Sequence, residues 1–417
     1  MRPKIQIIFL LIVNIFGVYS TAYGVLAGGR PNSISEGNNA FAGVVNPANA
    51  VWIANRFDIG AFWVYQKSSL NNCDDNPLFP PGKIDFTYKS RNLFTTDIAL
   101  HKHFNLKFGT HAFDSSFSLA AYTMPSRSQL RTKKPFPISG TTPIVIRNRT
   151  DVISAVFSLK LNAFHSLGFS IDYFYFSHLR NGYQRSDNPL RSVAPGHVTN
   201  NGTDHSNGIG FGVGWRWNIT KRLNFGAAWV KKSYCGQYRK YRGFEPHHAK
   251  NYIPQTFGAG FSYRFTSKIA GRLEVLWMNL GDLPGANNNV LPNGRLNLNK
   301  RGSNKSPGPG LNDATYINLG IGYKLNSMFS VGVGFSHRIK LPRKTSNILS
   351  HTYILQTIYD TLSLGANFKY KKQDFFLVIS HGFRNKVSGI MPIELGGGRF
   401  VGEKQNTSLS VSWGYVY

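Results

Sequence analysis

The sequence has few charged residues and very few cysteines. Charged residues make up 16% of its 417 residues, whereas soluble domains carry about a quarter. Two cysteines are too few for a small fold that disulfides hold together. After the first segment no apolar run approaches about 18 residues, so the mature chain has no membrane-spanning helix.

Acidic residues are the scarcest charged type. Asp and Glu number 19 against 48 Lys and Arg, which gives a formal net charge of +29. The scarcity of Glu, together with 42 glycines, excludes a helical bundle or coiled coil. The sequence is nevertheless rich in aromatic residues, with 31 Phe, 20 Tyr and 7 Trp, and this load excludes an intrinsically disordered chain.

The N-terminus has the organisation of a secretory signal peptide. Arg2 and Lys4 give a positive start, residues 5–18 are apolar except for Gln6 and Asn14, and small residues follow. We therefore predict a signal peptide at residues 1–24 and an exported protein. Any residence of the mature chain in a membrane must then come from strands.

Most of the remaining sequence alternates with period two. In residues 167–175 every odd position is Leu, Phe, Ile or Tyr, and the even positions begin with Gly, Ser and Asp. The same pattern recurs at residues 209–218, 257–265, 317–324, 329–338 and 362–370. Alternation over about nine residues predicts strands with one apolar face, longer than the roughly five or six residues of a soluble sandwich. We predict an all-β protein, a transmembrane antiparallel up-and-down barrel.

The lengths of the connections support the same architecture. Short turns are predicted at residues 220–222, 266–268, 326–327 and 371–373, and they alternate with long polar segments at 179–206, 234–253, 281–312, 340–358 and 382–404. Tight periplasmic turns and long extracellular loops are typical of outer-membrane barrels. Further strands near 58–66, 93–101, 116–123 and 151–161 bring the predicted number to about fourteen.

The last strand carries a specific signal. Leu409, Val411, Trp413, Tyr415 and Tyr417 are apolar at every second position, and the chain stops on the last aromatic ring. Such an ending resembles the recognition signal of barrels that the bacterial barrel assembly machinery inserts. We therefore interpret Trp413, Tyr415 and Tyr417 as an assembly signal.

A long segment precedes the first strand. Residues 25–57 are too apolar for a mere leader, and we predict that they fold back as a plug inside a barrel formed by residues 58–417. The segment contains a run of small residues and one aromatic ring, formed by Gly37, Ala40, Phe41, Ala42 and Gly43. In this run the sequence resembles the hatch of the long-chain fatty-acid transporter (FadL-like) family of outer-membrane barrels.

The resemblance has one departure and several implications. Asn46-Pro47-Ala48 comes earlier than the corresponding turn of the family, and residues 53–57 occupy its expected place. Residues 253–258 and 276–279 also look like paired strands of the family. The resemblance implies a fourteen-stranded barrel closed by a hatch, which imports hydrophobic molecules such as long-chain fatty acids or aromatic hydrocarbons through a lateral opening.

The alternation also predicts which side chains face the lumen. The inward charged residues are Lys160, Asp172, Arg216, Lys232, Arg264, Arg272, Glu274, Lys324, Arg338 and Lys369. Basic groups predominate, and guanidinium groups bind carboxylates in a bidentate manner. The candidate ligand-binding residues are Arg180, Arg216, Arg264, Arg272, Lys324 and Arg338, with Phe174 and Phe176 for an acyl tail. The alternative is that the basic groups bind the plug.

Other motifs point to no chemistry. The glycines of residues 208–214 alternate with apolar residues and precede no helix, so they indicate small lumen-facing positions rather than a nucleotide loop. His247-His248 lacks further ligands at metal spacing, and no nucleophile elbow is present. We predict no metal, no cofactor and no enzyme activity. A disulfide between Cys73 and Cys235 stays open, because both lie in predicted extracellular loops of an oxidising compartment.

Basic clusters in the predicted external loops suggest a partner. They comprise Arg127, Arg131, Lys133, Lys134, Arg147 and Arg149, and a second group of Arg239, Lys240 and Arg242. An exported barrel has little access to nucleic acid, so we expect lipopolysaccharide and outer-membrane lipid as the anionic partners. The predicted function is passive uptake of long-chain fatty acids or other hydrophobic small molecules. An anion-preferring diffusion porin and a structural or adhesin-like surface barrel are the alternatives.

Overall fold

The computed structural model describes residues 33–417 except for 87–91, 110, 125–127, 286, 289–296, 309, 340–347 and 349–359. The predicted signal peptide, the first part of the predicted plug and Arg127 lie outside the described residues. The regular structure of the described chain is almost entirely β-strand, and its few helices are at most six residues long.

Eighteen strands are described. They are β1 (Arg56–Asn72), β2 (Gly82–Asp85), β3 (Asn92–Phe108), β4 (His111–Thr123), β5 (Ser128–Arg131), β6 (Val145–Lys160), β7 (His165–Asn181), β8 (Asp204–Asn218), β9 (Leu223–Val230), β10 (Ser233–Gln237), β11 (Lys250–Ile253), β12 (Thr256–Arg264), β13 (Ile269–Met278), β14 (Ala314–Lys324), β15 (Phe329–Arg338), β16 (Asp360–Tyr370), β17 (Gln373–Ile390) and β18 (Arg399–Val416).

Fourteen of these strands form a closed antiparallel barrel. In the sixteen-stranded main sheet, β2 pairs only with β1 and β5 only with β6, and the others follow one another around the wall. The sheet closes because β1 pairs with β18 over its whole length, from Arg56 opposite Val416 to Asn72 opposite Phe400. The predicted fold class and strand number are confirmed.

The outer face of the barrel is apolar. On β7 the side chains of Phe169, Ile171 and Tyr173 are exposed, whereas Asp172 and Phe174 between and after them are buried. The same outward apolar positions recur on the neighbouring strands, as the period-two pattern predicts. Among the described residues no helix is long and apolar enough to cross a bilayer. A closed barrel with this apolar outer band is built to span the outer membrane.

The predicted turns and the long loops at 179–206 and 234–253 are confirmed, the loop predicted at 340–358 lies almost entirely outside the described residues, and one prediction needs correction. Residues 382–404, predicted to form a long loop, are instead largely the extended ends of β17 and β18, and only residues 391–398 connect them. A bulge between Gly382 and Asn385 shifts the register of this hairpin. The prediction fails here because these extensions rise beyond the membrane band, where a polar strand has the composition of a loop.

The extracellular end has additional structure. The strands β10 and β11 form a separate hairpin, and β2 and β5 extend the wall at this end. Phe79, Phe136 and Phe400 pack there in a second apolar cluster, with the ring of Phe79 5.0 Å from that of Phe400 and 5.5 Å from that of Phe136.

The N-terminal segment, defined here as residues 33–55, precedes β1. It contains the helical turn α1 (Ala42–Val45) and the 3-10 helix Pro47–Trp52. Asn46 begins the 3-10 helix, since its side-chain oxygen accepts a hydrogen bond from the Ala48 amide at 3.1 Å and Pro47 follows it. The early Asn-Pro-Ala sequence is therefore a helix start.

Candidate functional site

The N-terminal segment lies inside the barrel. Its residues Ala40, Phe41, Ala42, Ala48 and Ala50 are completely buried. Its polar groups bind strands from different parts of the wall. The Ile34 backbone amide donates to Glu274 on β13 at 2.8 Å, the Trp52 indole donates to Ser166 on β7 at 2.7 Å, and the Asn46 side-chain Nδ2 donates to the Trp215 carbonyl on β8 at 3.1 Å.

Glycines of the wall make room for this segment. A Cβ atom at Gly226 on β9 would lie 2.0 Å from the Ile34 carbonyl oxygen, and one at Gly214 on β8 would lie 1.9 Å from the Asn46 side chain. At Gly168 on β7 a Cβ would lie 2.4 Å from the backbone of Pro47. The inward glycines, which form no phosphate-binding loop, thus let the backbone of the segment approach the wall closely.

The residues predicted to mark the plug occupy equally tight positions. A Cβ atom at Gly37 would lie 2.1 Å from that of Ala42, and one at Gly43 would lie 2.8 Å from Val156 on β6. Ala40 and Phe41 are completely buried. Gly37, Ala40 and Gly43 are therefore positions where only a small side chain fits, and Phe41 is a buried ring.

A buried ion network holds the segment to β1. Arg56 donates to both carboxylate oxygens of Asp58, at 2.7 and 2.9 Å, and to Asp374 on β17 at 3.1 Å. The N-terminal segment contributes two backbone groups to this network. Arg56 also donates to the Asn38 carbonyl at 2.8 Å, and the Ala40 amide donates to Asp58 at 2.8 Å. Each charge is thus paired where it is buried, as burial demands.

Above the segment the lumen is lined by apolar side chains. One buried cluster runs from Phe41 and Val44 of the segment to the extracellular loops. From the wall it includes Phe62, Tyr122, Val152, Phe174, Phe176, Leu276, Met278, Tyr316, Phe376 and Val378. The predicted tail-binding residues Phe174 and Phe176 are stacked, with ring centroids 6.0 Å apart. A Cβ atom at Gly210 would lie 2.8 Å from the Phe174 ring, so the absence of a side chain at this position makes room for the ring.

Extracellular loops cover this apolar lining. Tyr238, Tyr241, Leu280, Leu283 and Leu311 from the loops belong to the same buried cluster. The loops also bind one another through the backbone. The Gly243 amide donates to the His197 carbonyl at 2.9 Å, and the Gly302 amide donates to the Phe244 carbonyl at 3.2 Å. The lining is therefore enclosed between the N-terminal segment and a cover of three connected loops.

Arg180, predicted to capture a head group, is bound to a loop. Its guanidinium forms an ion pair with Glu245 and lies 4.2 Å from the ring centroid of Phe244. Burial acts to raise the pKa of Glu245, but the charges of Arg180 and His178 outweigh it and hold this pKa below its usual value. In this structure Arg180 fastens the loop cover.

Arg338 has a different environment at the extracellular end of β15. Its side chain is buried, and its guanidinium lies 5.4 Å from the ring centroid of Tyr316. Among the described residues its Nε and Nη2 atoms have no hydrogen-bond partner. A buried guanidinium with open donors beside an apolar lining is suited to bind an anionic group.

The other predicted cations lie at the periplasmic end. Arg264 is 3.8 Å from Glu36 of the N-terminal segment, and Arg216 lies 5.0 Å from the Trp52 ring and binds Asn218 at 2.9 Å. Glu274 and Glu36 act electrostatically on Arg272. Lys324 is exposed at the end of β14. The structure therefore separates the predicted row of cations into two groups, and three members of the periplasmic group, Arg216, Arg264 and Arg272, interact with the segment.

The structure also settles the positions of Lys232 and of the two cysteines. Lys232 lies beyond the end of β9, and its ammonium donates to the Asp282 carbonyl at 2.7 Å rather than facing the lumen within a strand. The two cysteines are free thiols, so the disulfide considered between them is not formed in this structure. Cys73 contacts Asn71, whereas Cys235 packs against Gly208 on β8.

The sequence reasoning missed a polar group in the middle of the lumen. Tyr122 on β4 is buried near Asp97 and Asp172, which both act on it electrostatically. Ser170 donates to Asp172 at 3.1 Å. The Tyr122 hydroxyl and one Asp172 oxygen have no hydrogen-bond partner among the described residues. The alternation pattern of residues 116–123 places Tyr122 on the inward face, and this is the sequence feature that could have predicted its position in the lumen.

Solved structures with the same fold are transport proteins. The toluene transporter TodX of Pseudomonas putida superposes with a TM-score of 0.63 at 13% identity, covering 97% of this chain and 99% of that one. A FadL homologue of Pseudomonas aeruginosa gives 0.61 at 15% identity, covering 98% and 100%. The toluene transporter TbuX of Ralstonia pickettii gives 0.58 at 12% identity, covering 96% and 98%.

These similarities concern the fold. No protein-family model matches the sequence, and no curated protein is significantly similar to it. The barrel, its strand number and the near-complete coverage in both directions nevertheless agree with the FadL type. The chain has the fold of the FadL-like outer-membrane barrels, and the resemblance found in its sequence is confirmed at that level.

Proposed function

We propose that the protein is an outer-membrane channel for passive uptake of hydrophobic small molecules, with long-chain fatty acids as its substrates. The proposal depends chiefly on the apolar lining that is enclosed above the N-terminal segment and has Arg338 at its edge. Binding sites for small ligands are mostly apolar with a few placed polar groups. The relatives of the same fold include a FadL homologue and two toluene transporters, which supports a hydrophobic substrate.

Arg338 is the feature that favours a fatty acid over a hydrocarbon. Two of its donor atoms are buried without a partner among the described residues. Leaving a charge desolvated and unpaired is costly, and a carboxylate that accepts from both donors removes that cost. The acyl chain then lies along the apolar lining, which begins at Tyr316 beside Arg338 and includes Phe174 and Phe176 on β7.

The same arrangement assigns different roles to the other cations. Arg180 holds the loop cover through Glu245, and Arg216, Arg264 and Arg272 interact with the N-terminal segment. In this proposal the segment acts as the plug that excludes a continuous water path, which argues against the diffusion porin. A neutral tail and a charged head are thus recognised by different parts of the lumen.

Binding measurements on two matched ligands test this assignment. The protein in lipid nanodiscs is titrated with palmitate and with methyl palmitate, which lacks the charge. Arg338→Gln is expected to weaken palmitate binding about tenfold or more, because a hydrogen bond to a charged group contributes roughly 1.5–3 kcal/mol. Methyl palmitate should bind both proteins equally. Arg338→Lys should restore palmitate only in part, since Lys lacks the planar pair of donors.

Arg264→Gln is the matched control, because it removes the same charge at the periplasmic end. It should leave the affinity for palmitate unchanged. Equal losses for palmitate and methyl palmitate in Arg338→Gln would refute the carboxylate role. Saturable binding of toluene together with no binding of either palmitate ligand would refute the fatty acid and leave a hydrocarbon channel.

A further inference from the structure

A group of cations lies on the outer surface, away from the lumen. It consists of Lys67 on β1, Lys83 on β2, and Arg384 and Lys386 on β17, and is called the outer cation patch below. In the register of the sheet, Lys67 is opposite Gln405, Lys386 is opposite Glu403, and Lys83 is opposite Asn71. Since β1, β2, β17 and β18 are neighbours, the four cations share one face of the wall.

The patch begins where the apolar outer band ends. Directly below Lys67 on the same face of β1 are Trp63 and Tyr65, whose rings are stacked at 6.4 Å. On β17 the exposed Ile379 and Phe383 precede Arg384. Aromatic girdles of this kind mark the interface between the hydrocarbon core and the head groups. The patch therefore lies at head-group level on the extracellular side.

One carboxylate organises the patch. Glu403 on β18 is 2.6 Å from Arg384, 3.5 Å from Lys386 and 3.7 Å from Lys83. The hydrogen bond from Arg384 lowers the pKa of Glu403 below its usual value, burial opposes this, and the nearby charges add to the lowering. Glu403 is largely covered, whereas the three cations are at least half exposed. Their free donors face outward.

The cations outnumber the acids on this face. Asp85 on β2, which is opposite Ser69, is the second carboxylate there. Four cations against Glu403 and Asp85 leave two positive charges in excess. Glu403 alone serves three cations, so its two oxygens cannot satisfy all of their donors. The N–H groups of the patch can therefore donate hydrogen bonds to further acceptor oxygens.

We propose that the outer cation patch binds the phosphate groups of a phosphorylated glycolipid in the outer leaflet. Phosphate offers several acceptor oxygens and a charge that matches Arg and Lys donors. A lipid is favoured over free phosphate because the patch adjoins the lipid-facing band, where acyl chains contact Tyr65 and Phe383 while the head group meets the cations. The site is separate from the lumen and goes beyond the proposed uptake function.

Native mass spectrometry of the purified full-length barrel tests the proposal. The probes are diphosphoryl lipid A and the same lipid with both phosphates removed. Replacing Lys67, Lys83, Arg384 and Lys386 together by Gln should lower the affinity for diphosphoryl lipid A about tenfold or more, because cations at a membrane surface each attract anionic lipid. The lipid without phosphates should bind weakly to both proteins.

A second variant controls for the loss of net charge. It carries Gln at four exposed cations of the periplasmic turns, Lys221, Arg222, Lys268 and Lys371. This variant should retain diphosphoryl lipid A like the unaltered protein. Equal losses in the two variants, or equal binding of both lipids to the unaltered protein, would overturn the proposal. If the fourfold patch variant does not fold, as judged by heat-modifiable migration, the pair Lys83→Gln and Lys386→Gln is measured by the same criteria.

Discussion

Arg56 and Asp58 form a two-pronged ion pair on the inner face of β1, with hydrogen bonds of 2.7 and 2.9 Å. The pair lies two residues apart on a strand, where side chains of the same parity share a face. Asp58 also accepts from the Ala40 amide, and Arg56 donates to the Asn38 carbonyl. The strand β1 is thus part of the barrel wall and also binds the N-terminal segment that lies inside the barrel.

Asp58→Ala should loosen this anchor. The change leaves Arg56 with the Asp374 carboxylate and the Asn38 carbonyl, and it removes the acceptor of the Ala40 amide. Breaking a buried pair on one side costs about 3–5 kcal/mol, which exceeds what a short segment can lose while staying in place. We expect faster proteolysis in residues 33–55 and a higher ion conductance in planar bilayers. Asp360→Ala, which removes a partly exposed carboxylate 2.7 Å from His337 at the extracellular end, should change neither.

The barrel could be predicted from the sequence because its wall obeys one rule. Each membrane-spanning strand has lipid on one side, so the outward positions must be apolar and the alternation is visible without any partner. Residues 167–175 and 209–218 are examples, and both lie within strands of the structure. Where this constraint ends, in the extensions of β17 and β18, the strands could not be distinguished from loops.

The site could be predicted only in part because it depends on depth along the strands. Parity shows that Arg264 and Arg338 both face inward, but they lie at opposite ends of the barrel. Which of them meets a plug carboxylate depends on where Glu36 lies, and this is a tertiary contact. The ion pair of Arg180 with Glu245 joins a strand to a loop 65 residues away and has no local signature.

A wall glycine offers a test that leaves all charges unchanged. In Gly226→Ala the new methyl group would lie 2.0 Å from the Ile34 carbonyl oxygen, so the N-terminal segment must move. We expect a folded barrel with increased hydrogen exchange in the segment. Gly365→Ala is the control, because its methyl group would meet its nearest atom, on Phe376, at an ordinary 3.5 Å. Equal exchange in the two variants would show that the segment tolerates the intrusion.

Removal of the segment tests whether it closes the lumen. The deletion should end at residue 54, because Arg56 and Phe57 pair with β18 and the Asn55 carbonyl accepts from the Tyr417 amide at 3.2 Å. We expect residues 28–54 to be dispensable for a folded barrel, since the wall satisfies its own backbone hydrogen bonds. Single-channel conductance should rise strongly. A large, steady conductance of the undeleted protein would instead favour the diffusion porin.

The C-terminal aromatic residues make contacts that close the barrel. The Tyr417 hydroxyl donates to the His101 carbonyl at 3.0 Å, and Trp413 packs on Phe57 with ring centroids 6.3 Å apart. Replacing Tyr415 and Tyr417 by Ser should leave export intact and block insertion, because the unpaired edge loses its signal for the assembly machinery. Heat-modifiable migration of the membrane fraction measures this. Tyr417→Phe keeps the ring and should insert normally.

Acidification should release the loop cover through Glu245. Its pKa is lower in the folded protein than in the unfolded chain, so its ion pair with Arg180 stabilises the fold fully above the unfolded value. This contribution is lost as the pH falls through the folded value. We expect hydrogen exchange in residues 238–249 to increase as the pH is lowered below the usual carboxylate range, after correction for the intrinsic exchange rate.

Glu245→Gln separates this pair from general acid effects. The variant should show faster exchange in residues 238–249 already at neutral pH, because Arg180 loses its charged partner. Acidification should then change that exchange less than in the unaltered protein, and the remaining change reports the buried His178, 3.6 Å from residue 245. Asp282→Asn, which alters another loop carboxylate that binds Asn279 at 2.7 Å, should keep the pH dependence of the unaltered protein. If Glu245→Gln keeps the same dependence, another group controls the cover and the assignment of this role to Glu245 is wrong.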